Sequence, residues 1–251
     1  MAGAPVSGDL MSIAEGLKNG KNQIFAKYEK NHDIKWSKGS ISQLDFSGVA
    51  FDENRAATLI SPMHVLMAAH HSRRAGETII FHDRAGKRHE AKLIATKSGP
   101  GTDIAVGRLD RDMPISPYKV LPAGPDTTYD QKLRQEPVAV TNQNGQVFVH
   151  VVHHIANGYL GMGPLADLNS GLAGKLVSGD SGHPSFLYQD GKMILVELHH
   201  FGGFGAGPFV SNEGNFALIN SLMKELGGGH QLTTTTYQSK ISAPTASTNA
   251  R

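Results

Sequence analysis

From about residue 39 onward, apolar residues in this chain alternate with polar ones over a handful of positions and then stop at glycine, proline or aspartate. A chain interrupted this often has to build its core from short strands rather than long helices. Residues 41–51 alternate in this way, 56–62 and 65–70 follow, and 77–81, 88–95 and 103–109 keep the rhythm. Each reads as a strand bounded by a tight turn, and strands of this number and length close into a barrel or a sandwich. Only 18% of the 251 residues are charged and 29 are glycine, the balance of a turn-rich β protein.

Residues 114–130, rich in proline, glycine and aspartate, read as a linker, after which strands resume at 137–141, 146–154 and 192–199. Residues 216–226 carry apolar side chains at helical spacing and end at three glycines, which predicts a C-terminal helix. Before the strands, Leu10, Ile13, Leu17, Ile24, Phe25 and Tyr28 predict one or two short helices interrupted by Gly20, a packing extension on the outside of the domain. Residues 231–251 are rich in threonine, serine and alanine and read as a disordered tail. The expected organisation is an N-terminal extension over 1–38, a first β unit over 39–122, a second with the C-terminal helix over 123–226, and a tail over 227–251.

A net charge of +2 is too small to argue for nucleic acid or an acidic membrane surface as a partner. The absence of cysteine removes disulfides, a thiolate nucleophile and cysteine zinc sites, and leaves the compartment open. No window reaches membrane-spanning length, so the expectation is a soluble chain. Thirteen histidines include the clusters His150, His153, His154 and His199, His200, but no carboxylates stand at ligand spacing and there is no His-Glu-x-x-His. No metal and no cofactor are expected. Oligomeric state is open.

The stretch with chemical potential is Val177-Ser178-Gly179-Asp180-Ser181-Gly182-His183-Pro184. A serine between glycines, followed by proline, sits in a tight turn that can lift one hydroxyl clear of its neighbours. The amides of Gly179 and Ser181 would then face one point and could hold a developing oxyanion, where loss of one donor typically costs about a hundredfold in rate or more. A serine hydroxyl is a weak nucleophile at neutral pH and needs a base with an acid to orient it. His70, at the end of an apolar run that closes Met67-Ala68-Ala69-His70-His71, could be that base; Asp103, opening Asp103-Ile104-Ala105-Val106-Gly107-Arg108-Leu109, could be the acid. His71 is the alternative base.

These three motifs, in the order His, Asp, Ser, resemble those of the trypsin-like (chymotrypsin-fold) serine proteases over roughly residues 42–226. The resemblance implies two packed antiparallel β-barrels, His70 and Asp103 from the first and Ser181 from the second, and an oxyanion hole of Gly179 and Ser181. In that family the acid matching Asp180 often pairs with a new amino terminus, but no apolar mature start precedes Ser42. An internal cation or hydrogen bond is therefore expected to hold Asp180.

The resemblance also places the backbone of His200 and Gly202 on a substrate-pairing edge with Phe201 flooring a neighbouring subsite. It places Lys175 at the bottom of the primary pocket and His199 in its wall. Cations there would favour an acidic side chain before the scissile bond; aromatic or aliphatic specificity through Phe201 and Phe204 is the competing expectation. A serine usually occupies the His200 position and supports the triad acid, so this departure puts that contact in question. The expected activity is peptide-bond hydrolysis of a peptide or protein substrate through a Ser-His-Asp triad. The alternatives are a catalytically silent binding module and an esterase on the same triad.

Overall fold

The computed structural model describes residues 10–164 and 171–239. Two curled sheets dominate, with three α-helices beside them.

The first sheet holds β3 (Val49–Ala50), β4 (Ala57–Ser61), β5 (His64–Ala68), β6 (Thr78–His82), β7 (Arg88–Ser98) and β8 (Ile104–Leu109), in the order β3-β4-β5-β8-β7-β6. The second holds β9 (Lys119–Val120), β10 (Pro137–Thr141), β11 (Val147–Ala156), β12 (Tyr159–Pro164), β13 (Pro184–Gln189), β14 (Lys192–Leu198) and β15 (Ala206–Pro208), in the order β15-β12-β11-β10-β13-β14-β9. Successive side chains in a strand point to opposite faces. Leu59, Val65, Met67 and Ala105 therefore fill the first near-barrel, while Ile60, Leu66, Ile104 and Val106 turn outward into a shared core. In the second, Val138, Val140, Leu187 and Val196 fill the interior; Ala139, Phe186, Tyr188 and Leu195 face the shared core. Double-sided burial explains why these runs are apolar almost throughout.

The helix α3 (Glu213–Leu226) opens on Asn212, whose side chain accepts from the Gly214 and Asn215 amides, and ends at Gly227, where φ is +80°. Ile219, Leu222, Met223 and Leu226 form its buried stripe.

Several expectations need correction. Among the described residues of the extension only α1 (Leu10–Glu15) is helical; turns follow over 16–20, where Asn19 and Gly20 adopt positive φ, and β1 (Phe25–Lys27) then pairs with β2 (Lys35–Trp36). The extension is not an outer appendage either: Leu10, Ile13, Ala14, Leu17 and Ile24 are buried in the shared core. The 41–51 run begins as a 3-10 turn at Ser40–Gln43, leaving only β3 as strand. Within 114–130, β9 pairs in parallel with β14, so the second sheet is not purely antiparallel, and α2 (Asp126–Leu133) begins. Residues 231–239 are ordered: Leu232 and Tyr237 are buried, Thr234 bridges to Val120, and the Tyr237 hydroxyl donates to Glu136 at 2.5 Å. Residues 240–251, the rest of the expected tail, lie outside the described residues.

Candidate active site

The register of the first sheet brings His70 to Asp103. β5 and β8 pair with Ala68 opposite Ile104, so both strands run out at the same end. One residue further, the Ala69 amide donates to the Asp103 carbonyl at 3.1 Å. The chain then turns through Ala69–His71, and His70 clamps the carboxylate twice: its amide donates to Oδ1 at 2.8 Å and its Nδ1 lies 2.7 Å from Oδ2. That bond leaves Nε2 as the acceptor, and Ser181 Oγ stands 2.9 Å from it. His71 points elsewhere; burial lowers its pKa, and its Nε2 is buried without a partner.

Just beyond this turn, Arg73 is fully buried and forks onto both oxygens of Asp52, with Nε donating to the Arg55 carbonyl at 2.6 Å. This ion pair ties the segment after His70 to the chain before β4.

Ser181 lies in the turn between Leu176 and β13. Asp180 is buried beneath it and accepts the Val177 amide at 2.7 Å and the Gln143 amide at 3.0 Å. Those two bonds are the internal hold expected for Asp180. The Gln143 side chain adds a bond from Nε2 to the Ser178 carbonyl at 2.9 Å. On the other side, the Gly182 amide donates to the His199 carbonyl at 2.8 Å. Gly179 has φ of +98° and Gly182 φ of +84°, the left-handed region that side chains resist. Among the described residues the Gly179 and Ser181 amides donate to no protein acceptor.

His200 is the unexpected member. Its Nδ1 lies 2.5 Å from Asp103 Oδ2, so two imidazoles share one carboxylate oxygen. The contact that the missing serine put in question is made by a longer side chain. Burial opposes ionisation of Asp103, but His200, the His70 amide and the His70 ring together hold its pKa below the ordinary value. His70, Asp103 and His200 also form a group of potential cation ligands, with ligand atoms within 4.8 Å of one another.

The expected pocket residues are distributed differently. Lys175 is exposed. His199 is fully buried, with Nδ1 2.9 Å from Glu197 and Nε2 3.0 Å from the Thr141 carbonyl, so neither nitrogen is free for a substrate. Burial opposes its protonation, yet Glu197 outweighs it and raises the pKa. The His200 amide is taken by the Ala206 carbonyl at 2.9 Å. Among the described residues, the His200 carbonyl and Gly202 amide have no protein partner, as an open edge requires. Phe201 is 56% exposed beside them. Gln143 and His200 as the acid's partner were missed by sequence reasoning. An amide bond carries no side-chain signal, and 97 residues separate His200 from Asp103.

Among the described residues no helix is long and apolar enough to cross a membrane. No protein-family pattern and no curated protein matches the sequence. Among solved structures the chain is similar to a mutant of human heparin binding protein, with a TM-score of 0.55 and 14% identity over 74% of this chain and 95% of that one. At that identity the likeness speaks for the backbone alone. Together with the two near-barrels and the C-terminal helix, it makes the fold a chymotrypsin-like double barrel.

Proposed function

We propose that the chain is a serine endopeptidase that works through an acyl-enzyme. The observation that carries this reading is the unbroken chain of hydrogen bonds from Ser181 Oγ through the His70 ring to Asp103. Ser181 attacks the carbonyl carbon while His70 Nε2 takes its proton; Asp103 keeps Nδ1 protonated and stabilises the imidazolium. The oxygen of the tetrahedral intermediate falls to the amides of Gly179 and Ser181. His70 returns the proton to the leaving amine, and water then repeats the sequence on the acyl-serine. The test is labelling by a fluorophosphonate. Ser181→Ala should abolish it and His70→Ala should slow it at least a thousandfold, since triad members act as a unit. A folded wild type that stays unlabelled refutes the reading. Parallel turnover of a peptide and its ester separates a protease from an esterase, because only the former protonates a poor amine leaving group.

A second reading, a binding module, is favoured by a separate feature. A groove of about 610 Å³ in the extension is lined by Lys21, Lys35 and Lys38 beside Trp36. None of the three lysines has an acidic partner among the described residues, whereas Lys18, Lys27 and Lys30 do. One solved structure of similar fold is a mutant of human heparin binding protein. Salt-dependent retention on immobilised heparin, lost in the triple Lys→Ala variant and accompanied by no labelling of Ser181, would support that reading over the first.

A further inference from the structure

We infer that the subsite beside Ser181 takes only a small side chain, glycine, alanine or serine, in the residue whose carbonyl is attacked, and that Leu176 sets this limit. The inference rests on the endopeptidase reading. On that reading the subsite lies between Leu176–Ser178, which leads into Ser181, and Phe201–Gly203, the expected substrate-pairing edge. An aromatic ring or a long chain between two backbone walls needs them about 7 Å apart, one van der Waals contact of about 3.5 Å on each side. Here they are joined. The Leu176 amide donates to the Gly203 carbonyl at 2.6 Å, and the Gly203 amide donates back to Leu176 at 3.1 Å. A Cβ on Gly202 would stand only 3.1 Å from the Leu176 carbonyl.

The space behind the walls is filled as well. Leu176 is 3% exposed and packs with Met162, Leu160 and Phe209 in the interior of the second near-barrel. A Cβ on Gly205 would meet Leu176 Cδ1 at 2.9 Å and Met162 Cε at 2.6 Å. The Leu176 and Met162 side chains occupy the space next to Gly205, behind the joined walls. Among the described residues neither expected cation is buried in the subsite with a free donor: Lys175 is exposed, and both His199 nitrogens are engaged by Glu197 and Thr141. An unpaired carboxylate would lose its hydration without replacement. The geometry therefore argues against an acidic preference and against a large apolar one.

The experiment begins with fluorophosphonate labelling of Ser181, which reports the nucleophile without reference to this subsite's depth. Esters of one acetylated tripeptide are then compared, differing only in whether alanine, phenylalanine or glutamate donates the carbonyl. The expected kcat/KM is at least a hundredfold higher for alanine than for either competitor. In Leu176→Ala the preference for alanine over phenylalanine should fall at least tenfold. Leu176→Val, closer in volume, should move it in the same direction by less and serves if the alanine variant does not fold. Turnover of the phenylalanine or glutamate ester equal to that of the alanine ester, in protein that labels, overturns the subsite inference and leaves the enzyme. So does an unchanged preference in a folded, labelled Leu176 variant. Wild type that does not label overturns the endopeptidase reading and this one with it.

Discussion

Replacing His200 by alanine removes one of three N–H groups that converge on Asp103. The remaining two come from His70, through its amide at 2.8 Å and its Nδ1 at 2.7 Å. A hydrogen bond to a charged group contributes about 1.5–3 kcal/mol. The His200 side chain is 27% exposed, so water can enter the vacated place and the loss belongs at the low end of that range. About 1.5 kcal/mol corresponds to about a tenfold fall in rate. We expect kcat on a peptide ester to fall about tenfold in His200→Ala, with fluorophosphonate labelling slowed in parallel and the thermal midpoint lowered by only about 3–6 °C. His200→Gln, which retains a donor, should recover most of the loss; a purely steric role would not discriminate in this way. Wild-type kcat in His200→Ala across pH 6–9 refutes the claim that His200 helps to position the acid. A fall of a thousandfold or more refutes it from the other side, since that is the scale of losing the base itself.

Truncating Ile13, fully buried in the shared core, to alanine should destabilise the protein by about 2–5 kcal/mol in urea titrations; a loss under 1 kcal/mol would mean the extension is a surface appendage. Arg73→Met leaves Asp52 buried and unpaired and should cost about 3–5 kcal/mol, largely recovered in the double variant with Asp52→Leu, as a double-mutant cycle would read. His150 and His183 are buried neutral, their pKa values lowered by burial from 6.5 to about 4 and about 3. The unfolded chain therefore takes up protons first. Stability from these residues is complete above about pH 6.5 and falls as pH drops below it, at about 1.4 kcal/mol per unit for each histidine. Urea midpoints at pH 7.5 and pH 5 should show the decline, and His183→Leu should make it shallower; equal midpoints in the wild type would refute neutral burial.

Motifs that are local in sequence proved the most legible. The meeting of His70 and Asp103 was expected from the resemblance their motifs carry, and the structure supplies its cause: β5 and β8 pair with Ala68 opposite Ile104, so both motifs stand at one end of the sheet. Gly179 and Gly182 also announced a turn, and both take positive φ. Elements decided by distant contacts were not readable. Ile24, Phe25 and Tyr28 suit a helix as well as a strand over so short a window; the tie between the Ile24 amide and the Gly145 carbonyl, at 2.8 Å, favours extended chain. Leu232 and Tyr237 are too sparse to signal order by composition, yet each finds a buried place. In the pocket, one position separates an exposed Lys175 from a buried Leu176, and only the fold says which of them faces inward.

The extension is first in the chain but packs against elements made much later. The Asn22 carbonyl accepts from Val147, the Ile24 amide binds Gly145, and α1 touches β10 and β13. During synthesis at about 5–20 residues per second, this segment waits on the order of ten seconds for its partners. Ser181 emerges later still than Gly145 and Val147. A nascent chain thus carries His70 and Asp103 without a nucleophile, and its opening apolar stripe without a cover. The shared core runs from Leu10 to Leu232, so it can close only once that whole span has left the ribosome, and the site assembles as one late step.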